Sequence, residues 1–191
     1  MSRLTPLLAA LVVAASSATA ATGINLEGLA RTCNNCHGVN GVSVGQSMPS
    51  IAGLSEAYLK QILMQWKTGE RFSASMGRLV KGYSDEELAA ISGYYARLPW
   101  VPAAQHTDAR LVAHGKDAVE RCVTCHGDTG GEPDDEVTPR LNGQWAKYME
   151  LELMKYRDDA VKMTHKKMRT NARKLDEEGL KSAPEFFASQ K

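Results

Sequence analysis

The sequence predicts an all-α chain folded as two tandem, similar helical units. Three observations predict it. One pentapeptide pattern occurs twice, the residues around the two copies match at a nearly constant offset, and apolar residues recur at helical spacing with no competing strand pattern. The pentapeptides are Cys33-Asn34-Asn35-Cys36-His37 and Cys122-Val123-Thr124-Cys125-His126, which together use all 4 cysteines of the 191 residues.

The first element, residues 1–20, reads as a cleaved secretory signal. Arg3 precedes an apolar stretch over 7–15 that ends in small residues and Ala18-Thr19-Ala20. That stretch is shorter than the ~20 residues that cross a bilayer, and an uncleaved anchor is the rival reading. The mature chain is therefore expected in the periplasm. Without Arg3 it carries 22 of the 23 Lys and Arg, against 22 Asp and Glu. A chain this balanced is neither a disordered polyelectrolyte nor a nucleic-acid-coating protein.

The repeat fixes the remaining elements. Cys33, Cys36 and His37 match Cys122, Cys125 and His126 at an offset of 89. Pro49, Ile51, Gly53, Tyr58, Met64 and Trp66 match Pro139, Leu141, Gly143, Tyr148, Met154 and Tyr156 at 90. Met76, Glu86, Leu88, Tyr94, Tyr95 and Ala96 match Met168, Glu178, Leu180, Phe186, Phe187 and Ala188 at 92. Each copy is expected to open with a short helix carrying the pentapeptide (26–36 and 109–125) and to continue through a Gly-rich loop. A middle helix follows (55–67 and 144–157), in which Tyr58, Leu59, Ile62, Leu63 and Trp66 form an apolar stripe. A last helix starts in the first copy at Ser84-Asp85-Glu86-Glu87, a cap followed by acidic residues. Residues 98–105 hold Pro99 and Pro102 without periodicity and read as a connector, dividing the chain into domains 21–104 and 105–191.

Four cysteines in an exported chain ordinarily suggest two disulfides. C-x-x-C-H is instead the attachment signal of c-type haem. Two thiols one helical turn apart form thioethers to the vinyl groups of one porphyrin, and the next residue brings an imidazole to the iron as proximal ligand. Cys33, Cys36, Cys122 and Cys125 are expected to hold two haem c groups, with His37 and His126 on the irons; structural zinc and disulfides are the alternatives. Units of about 80 residues have thin cores, so the porphyrin is expected to be structural as well.

Met76 and Met168 are the expected distal ligands. They occupy matching places, 39 and 42 residues after their histidines. His/Met ligation raises the reduction potential and closes the iron to substrates, which favours electron transfer over catalysis. Met64 and Met154 read as packing on the middle helix, and Met48 has Thr138 opposite it in the repeat. Met163 and His165 lie near Met168 and are the rival ligands there. His165 otherwise reads as solvated within the basic run of Lys162, Lys166, Lys167, Arg169, Arg173 and Lys174, and His106 and His114 as surface residues. The run either offsets the haem propionates or steers an acidic partner.

Paired C-x-x-C-H units, each with a later Met, resemble the dihaem cytochromes of the c4 type, with each unit a class I cytochrome c-like domain. Ser43-Val44-Gly45-Gln46, Met76-Gly77-Arg78-Leu79-Val80-Lys81-Gly82-Tyr83-Ser84, Gly143-Gln144-Trp145 and Lys166-Lys167-Met168 look like the cytochrome subunit of flavocytochrome c sulfide dehydrogenase. That resemblance implies a heterodimer in which a flavoprotein subunit oxidises sulfide and passes electrons singly to this chain. A soluble cytochrome c or similar periplasmic acceptor then takes them. It places FAD on the partner only and no catalytic residue in this chain, and no dinucleotide-binding glycine fingerprint occurs here. In class I cytochromes c a proline carbonyl takes the proximal histidine N–H; Pro49 and Pro139 carry that role by resemblance, or are simple helix-start prolines.

Two departures stand out. Met76 is followed by Gly77 and Met168 by Arg169, where c4 proteins usually show Met-Pro or Met-Met. Pro184 is expected to kink or delay the last helix unless it lies in the first turn. A free c4-like carrier between a membrane complex and a terminal oxidase is the second reading, and a haem enzyme the third.

Overall fold

The helices begin where the chain supplies caps. Ser55 accepts from the N–H of Tyr58, Ser84 and Glu87 form a reciprocal capping box, and Asp108 accepts from the N–H groups of Arg110 and Leu111. The structure, a computed structural model, describes residues 25–191, so the expected signal segment lies outside the described residues. The N-terminal unit contains α1 (Leu26–Arg31), α2 (Asn34–His37), α3 (Glu56–Lys67), α4 (Met76–Leu79) and α5 (Asp85–Ala96). The C-terminal unit repeats the order as α6 (Ala109–Ala118), α7 (Val123–His126), α8 (Ala146–Arg157), α9 (Lys166–Ala172) and α10 (Gly179–Ser189). The described residues contain no strand.

Packing repeats as well. Helix α5 lies against α1 and α3, and α10 against α6 and α8. One core gathers Ala30, Leu54, Leu59, Ile91 and Tyr95, and the other Val119, Ala146, Met149, Ala183 and Phe187. Matching backbone bonds tie the loops to the last helices: Gly53 donates to the carbonyl of Tyr95 at 2.9 Å and Gly143 to that of Phe187 at 2.8 Å. Ile51 donates to Gly41 at 2.8 Å and Leu141 to Gly130 at 2.7 Å.

Three expectations need correction. The pentapeptide helices are each broken in two, because backbone bonds around Thr32–Cys33 and Glu120–Cys122 shorten to the i→i+3 pattern and redirect the chain before the motif. Pro184 sits sixth in α10 and does not delay it. Ala183, Pro184 and Phe187 are all buried there, so packing against α6 and α8 holds the helix despite the missing N–H. Met154 is 50% exposed, whereas Met64 packs against Leu63, Val80 and Leu88 as expected.

A candidate pair of cofactor sites on one cavity

The two pentapeptides open onto a shared cavity of about 350 Å³. Cys33, His37, Pro49 and Met76 line it from one unit, and Cys122, Cys125, His126, Pro139 and Met168 from the other. Cys36 is exposed and lies outside the lining. A second opening of about 640 Å³ also meets His37, Pro49, Trp66 and Met76.

Each histidine ends its short helix at a glycine of positive φ, Gly38 at 79° and Gly127 at 78°. A Cβ on Gly38 would lie 1.9 Å from the carbonyl oxygen of Val42, so only glycine lets the loop close under the ring. His37 Nδ1 lies 2.9 Å from the Pro49 carbonyl, and His126 Nδ1 lies 2.9 Å from that of Pro139. A carbonyl only accepts, so Nδ1 carries the proton and Nε2 keeps a lone pair. Burial pushes both imidazole pKa values down, against the pull of those carbonyls, and keeps the rings in the neutral, ligating form.

The four thiols are free of disulfides. Burial raises the Cys33 pKa and pushes that of Cys122 up to about 11, with the charge of Cys125 adding to the second shift. Among the described residues, no group of three or more His, Cys, Asp and Glu side chains is placed to hold an ion alone.

The methionines share a support that the sequence reading missed. The N–H of Met76 donates to Ser73 Oγ at 3.1 Å, and that of Met168 to His165 Nδ1 at 3.3 Å. Ser73 and His165 stand three residues before their methionines and match at the offset of 92, so the repeat held the signal. His165 thus caps α9, although its ring is exposed and borders the cavity. Met163 is buried against Tyr156 and Ala172, outside the cavity lining. In the basic run, Lys162 donates to the Gly69 carbonyl at 2.8 Å and Arg169 to that of Val161 at 2.8 Å, while Arg173 pairs with Asp159. His106 and His114 are exposed.

Between the units lies a polar cluster that the sequence did not announce. The Arg71 guanidinium bonds Glu152 at 2.7 Å and the Tyr156 hydroxyl at 2.8 Å, and sits 5.2 Å from the centre of the Tyr156 ring. Burial opposes its charge, but Tyr156, Tyr58 and Glu152 hold its pKa above the ordinary value. Burial raises the pKa of Tyr58 and Tyr148 well above the usual phenol range.

The residues fit haem c. Thiols stand beside imidazoles with free Nε2 atoms, and thioethers border the same space. Two buried donors that line the cavity, Trp66 Nε1 and Arg140 Nε, have no protein partner and suit the carboxylates of a porphyrin.

No family model matches the chain. It is 30% identical over 153 residues to cytochrome c4 of Azotobacter vinelandii, covering 70% of this chain and 71% of that one. It is 32% identical over 140 residues to a thiosulfate dehydrogenase electron acceptor of Thiomonas intermedia, covering 68% and 64%. A 72-residue stretch, 38% of this chain, is 42% identical to the cytochrome subunit of sulfide dehydrogenase of Chlorobaculum tepidum and covers 64% of it. The fold matches reduced recombinant cytochrome c4 from Pseudomonas stutzeri with a TM-score of 0.78 at 24% identity, over 87% of this chain and 97% of that one.

Proposed function

From its place in the cytochrome c4 family, to which the chain belongs, we propose that this dihaem c-type electron carrier is the electron-accepting subunit of a flavoprotein sulfide dehydrogenase. Its units, 21–104 and 105–191, carry one haem each, and it acts in the periplasm behind a cleaved signal. The partner subunit carries the FAD, and a soluble cytochrome c or similar protein takes the electrons onward.

The observation that carries the docked reading is the loop after the first pentapeptide. Residues 38–50 contain no charged side chain, and Val39 and Val44 are 76% and 88% exposed. An uncharged apolar surface beside a cofactor edge suits a lasting protein contact. The partial likeness to a sulfide dehydrogenase cytochrome subunit supports the same reading.

Haem c, when bound, supplies a one-electron couple. Cys33 and Cys36 would hold the first group and Cys122 and Cys125 the second. His37 and His126 would offer Nε2 to the irons, and Met76 and Met168 would close the irons to substrate. Trp66 and Arg140 would offer donors to the porphyrin carboxylates, and the apolar lining would keep water from them.

Size-exclusion chromatography of the protein from its native host, recording haem and flavin absorbance, tests the reading. Co-elution of both at a mass well above 20.8 kDa, with haem reduction on adding sulfide, is the expected result. Haem eluting alone overturns it in favour of a free c4-like carrier, the reading that the extent of the likeness to cytochrome c4 of Azotobacter vinelandii favours.

A further inference from the structure

We infer that Gln144 positions the His37 imidazole from across the boundary between the units, so that the C-terminal unit sets the reduction potential of the N-terminal haem. The inference rests on the proposed role of His37 as proximal ligand.

Gln144 is 3% exposed, and its side-chain amide bonds both polar groups of one backbone residue. Its Oε1 accepts from the Ser50 N–H at 3.0 Å, and its Nε2 donates to the Ser50 carbonyl at 2.8 Å. A primary amide presents a donor and an acceptor side by side, which matches the two bonds. Ser50 is 1% exposed, so water does not replace either bond.

The peptide group joining Pro49 to Ser50 carries the effect onward. Its N–H is the one that Gln144 accepts, and its carbonyl is the one that takes the Nδ1–H of His37 at 2.9 Å. Resonance links the two ends of a planar peptide, so an acceptor on the N–H makes the carbonyl a stronger acceptor in turn. A stronger acceptor at Nδ1 makes Nε2 more basic, stabilises the oxidised iron and lowers the potential.

Gln144 is itself fixed. Its backbone carbonyl accepts from Gln105 Nε2 at 2.8 Å, and its Oε1 takes a second N–H from Trp145 at 3.1 Å. The C-terminal site has no matching relay. The repeat places Leu54 opposite Gln144, and among the described residues no acceptor meets the N–H of Arg140, which follows Pro139.

The test measures both haem potentials by spectroelectrochemistry in the full chain, with each haem assigned by NMR. In Gln144→Met the N-terminal haem should shift upward, its reduced-to-oxidised ratio at fixed poise rising severalfold, while the C-terminal haem stays put. Gln144→Glu keeps the acceptor for Ser50 and should leave that haem at or below the wild-type potential. Equal upward shifts in both variants, or none in Gln144→Met, overturn the inference. Should Gln144→Met fail to fold, an upward shift in Gln144→Glu still overturns it. Hyperfine-shifted imidazole resonances of His37 in the wild-type protein check the ligand assignment separately, and their absence sinks that assignment rather than the relay.

Discussion

The two units hold the His37 and His126 rings by the same bond and support that bond differently. In the N-terminal unit the Pro49–Ser50 peptide is clamped by Gln144 of the other unit. In the C-terminal unit the matching stretch has no such amide clamp and is held through Arg140 and through Trp100 of the other unit. Arg140 donates to the Gly131 carbonyl at 3.0 Å and lies 5.6 Å from the Trp100 ring, whose Nε1 donates to the Asn142 carbonyl at 3.0 Å. The loops differ in charge as well: 38–50 has none, whereas 127–138 carries Asp128, Glu132, Asp134, Asp135 and Glu136. What the duplication keeps is the bond from histidine ring to proline carbonyl, and what it releases is the scaffold behind it.

The sharpest way to break this comparison is at the methionines, where the units are expected to be equivalent. Met76→Ala and Met168→Ala should each remove half of the weak sulfur-to-iron absorption toward the red and open one iron to cyanide. The full band remaining in either variant would remove that residue as a ligand and leave the two sites chemically unlike.

Arg71 tests the reverse dependence, because here the N-terminal unit reaches into α8 of the other. Its side chain is 8% exposed and that of Glu152 17%. Arg71→Met leaves Glu152 with Lys155 as its remaining cation, at 2.5 Å. Stripping one partner from a buried pair costs about 3–5 kcal/mol, and Lys155 should hold the loss near the lower bound. Denaturant unfolding followed at both haems should show the units separating in the variant; a cooperative transition at the wild-type midpoint would mean that the cluster contributes nothing.

The same cluster predicts an alkaline limit. Burial raises the folded-state pKa of Tyr58 and Tyr148 above the unfolded value. The unfolded chain therefore loses these protons first, and stability falls as pH rises. Their contribution is intact below about pH 10, the ordinary phenol value, and fades above it. Tyr58→Phe and Tyr148→Phe should flatten the decline of stability above about pH 10, and an unchanged slope would show that other groups set it.

Legibility in the sequence follows the range of the interaction. The pentapeptides, the capping box at Ser84 and the apolar stripe of α3 are local patterns, and each stands where the residues place it. Gln144 with Ser50 and Arg71 with Glu152 are 94 and 81 positions apart, and no local pattern announces either pair. Met154 misled because helical spacing marks a stripe without saying what covers it: its match Met64 faces a core, and Met154 faces an opening. Pro184 misled for the converse reason, since tertiary burial overrides a local breaker.

The smallest effect compares the two methionine supports. A hydroxyl accepts from Met76 at 3.1 Å and an exposed imidazole from Met168 at 3.3 Å. Removing a side-chain acceptor at a helix start costs about 1 kcal/mol, and the longer bond to the exposed ring should contribute less. Ser73→Ala should therefore lower the temperature at which the sulfur-to-iron band is lost by more than His165→Ala does, while His165→Ser should match the wild type or exceed it. If His165→Ala has the larger effect, the imidazole holds Met168 by more than the hydrogen bond. The C-terminal methionine would then be the more specialised of the pair, reversing the order that the two bond lengths imply.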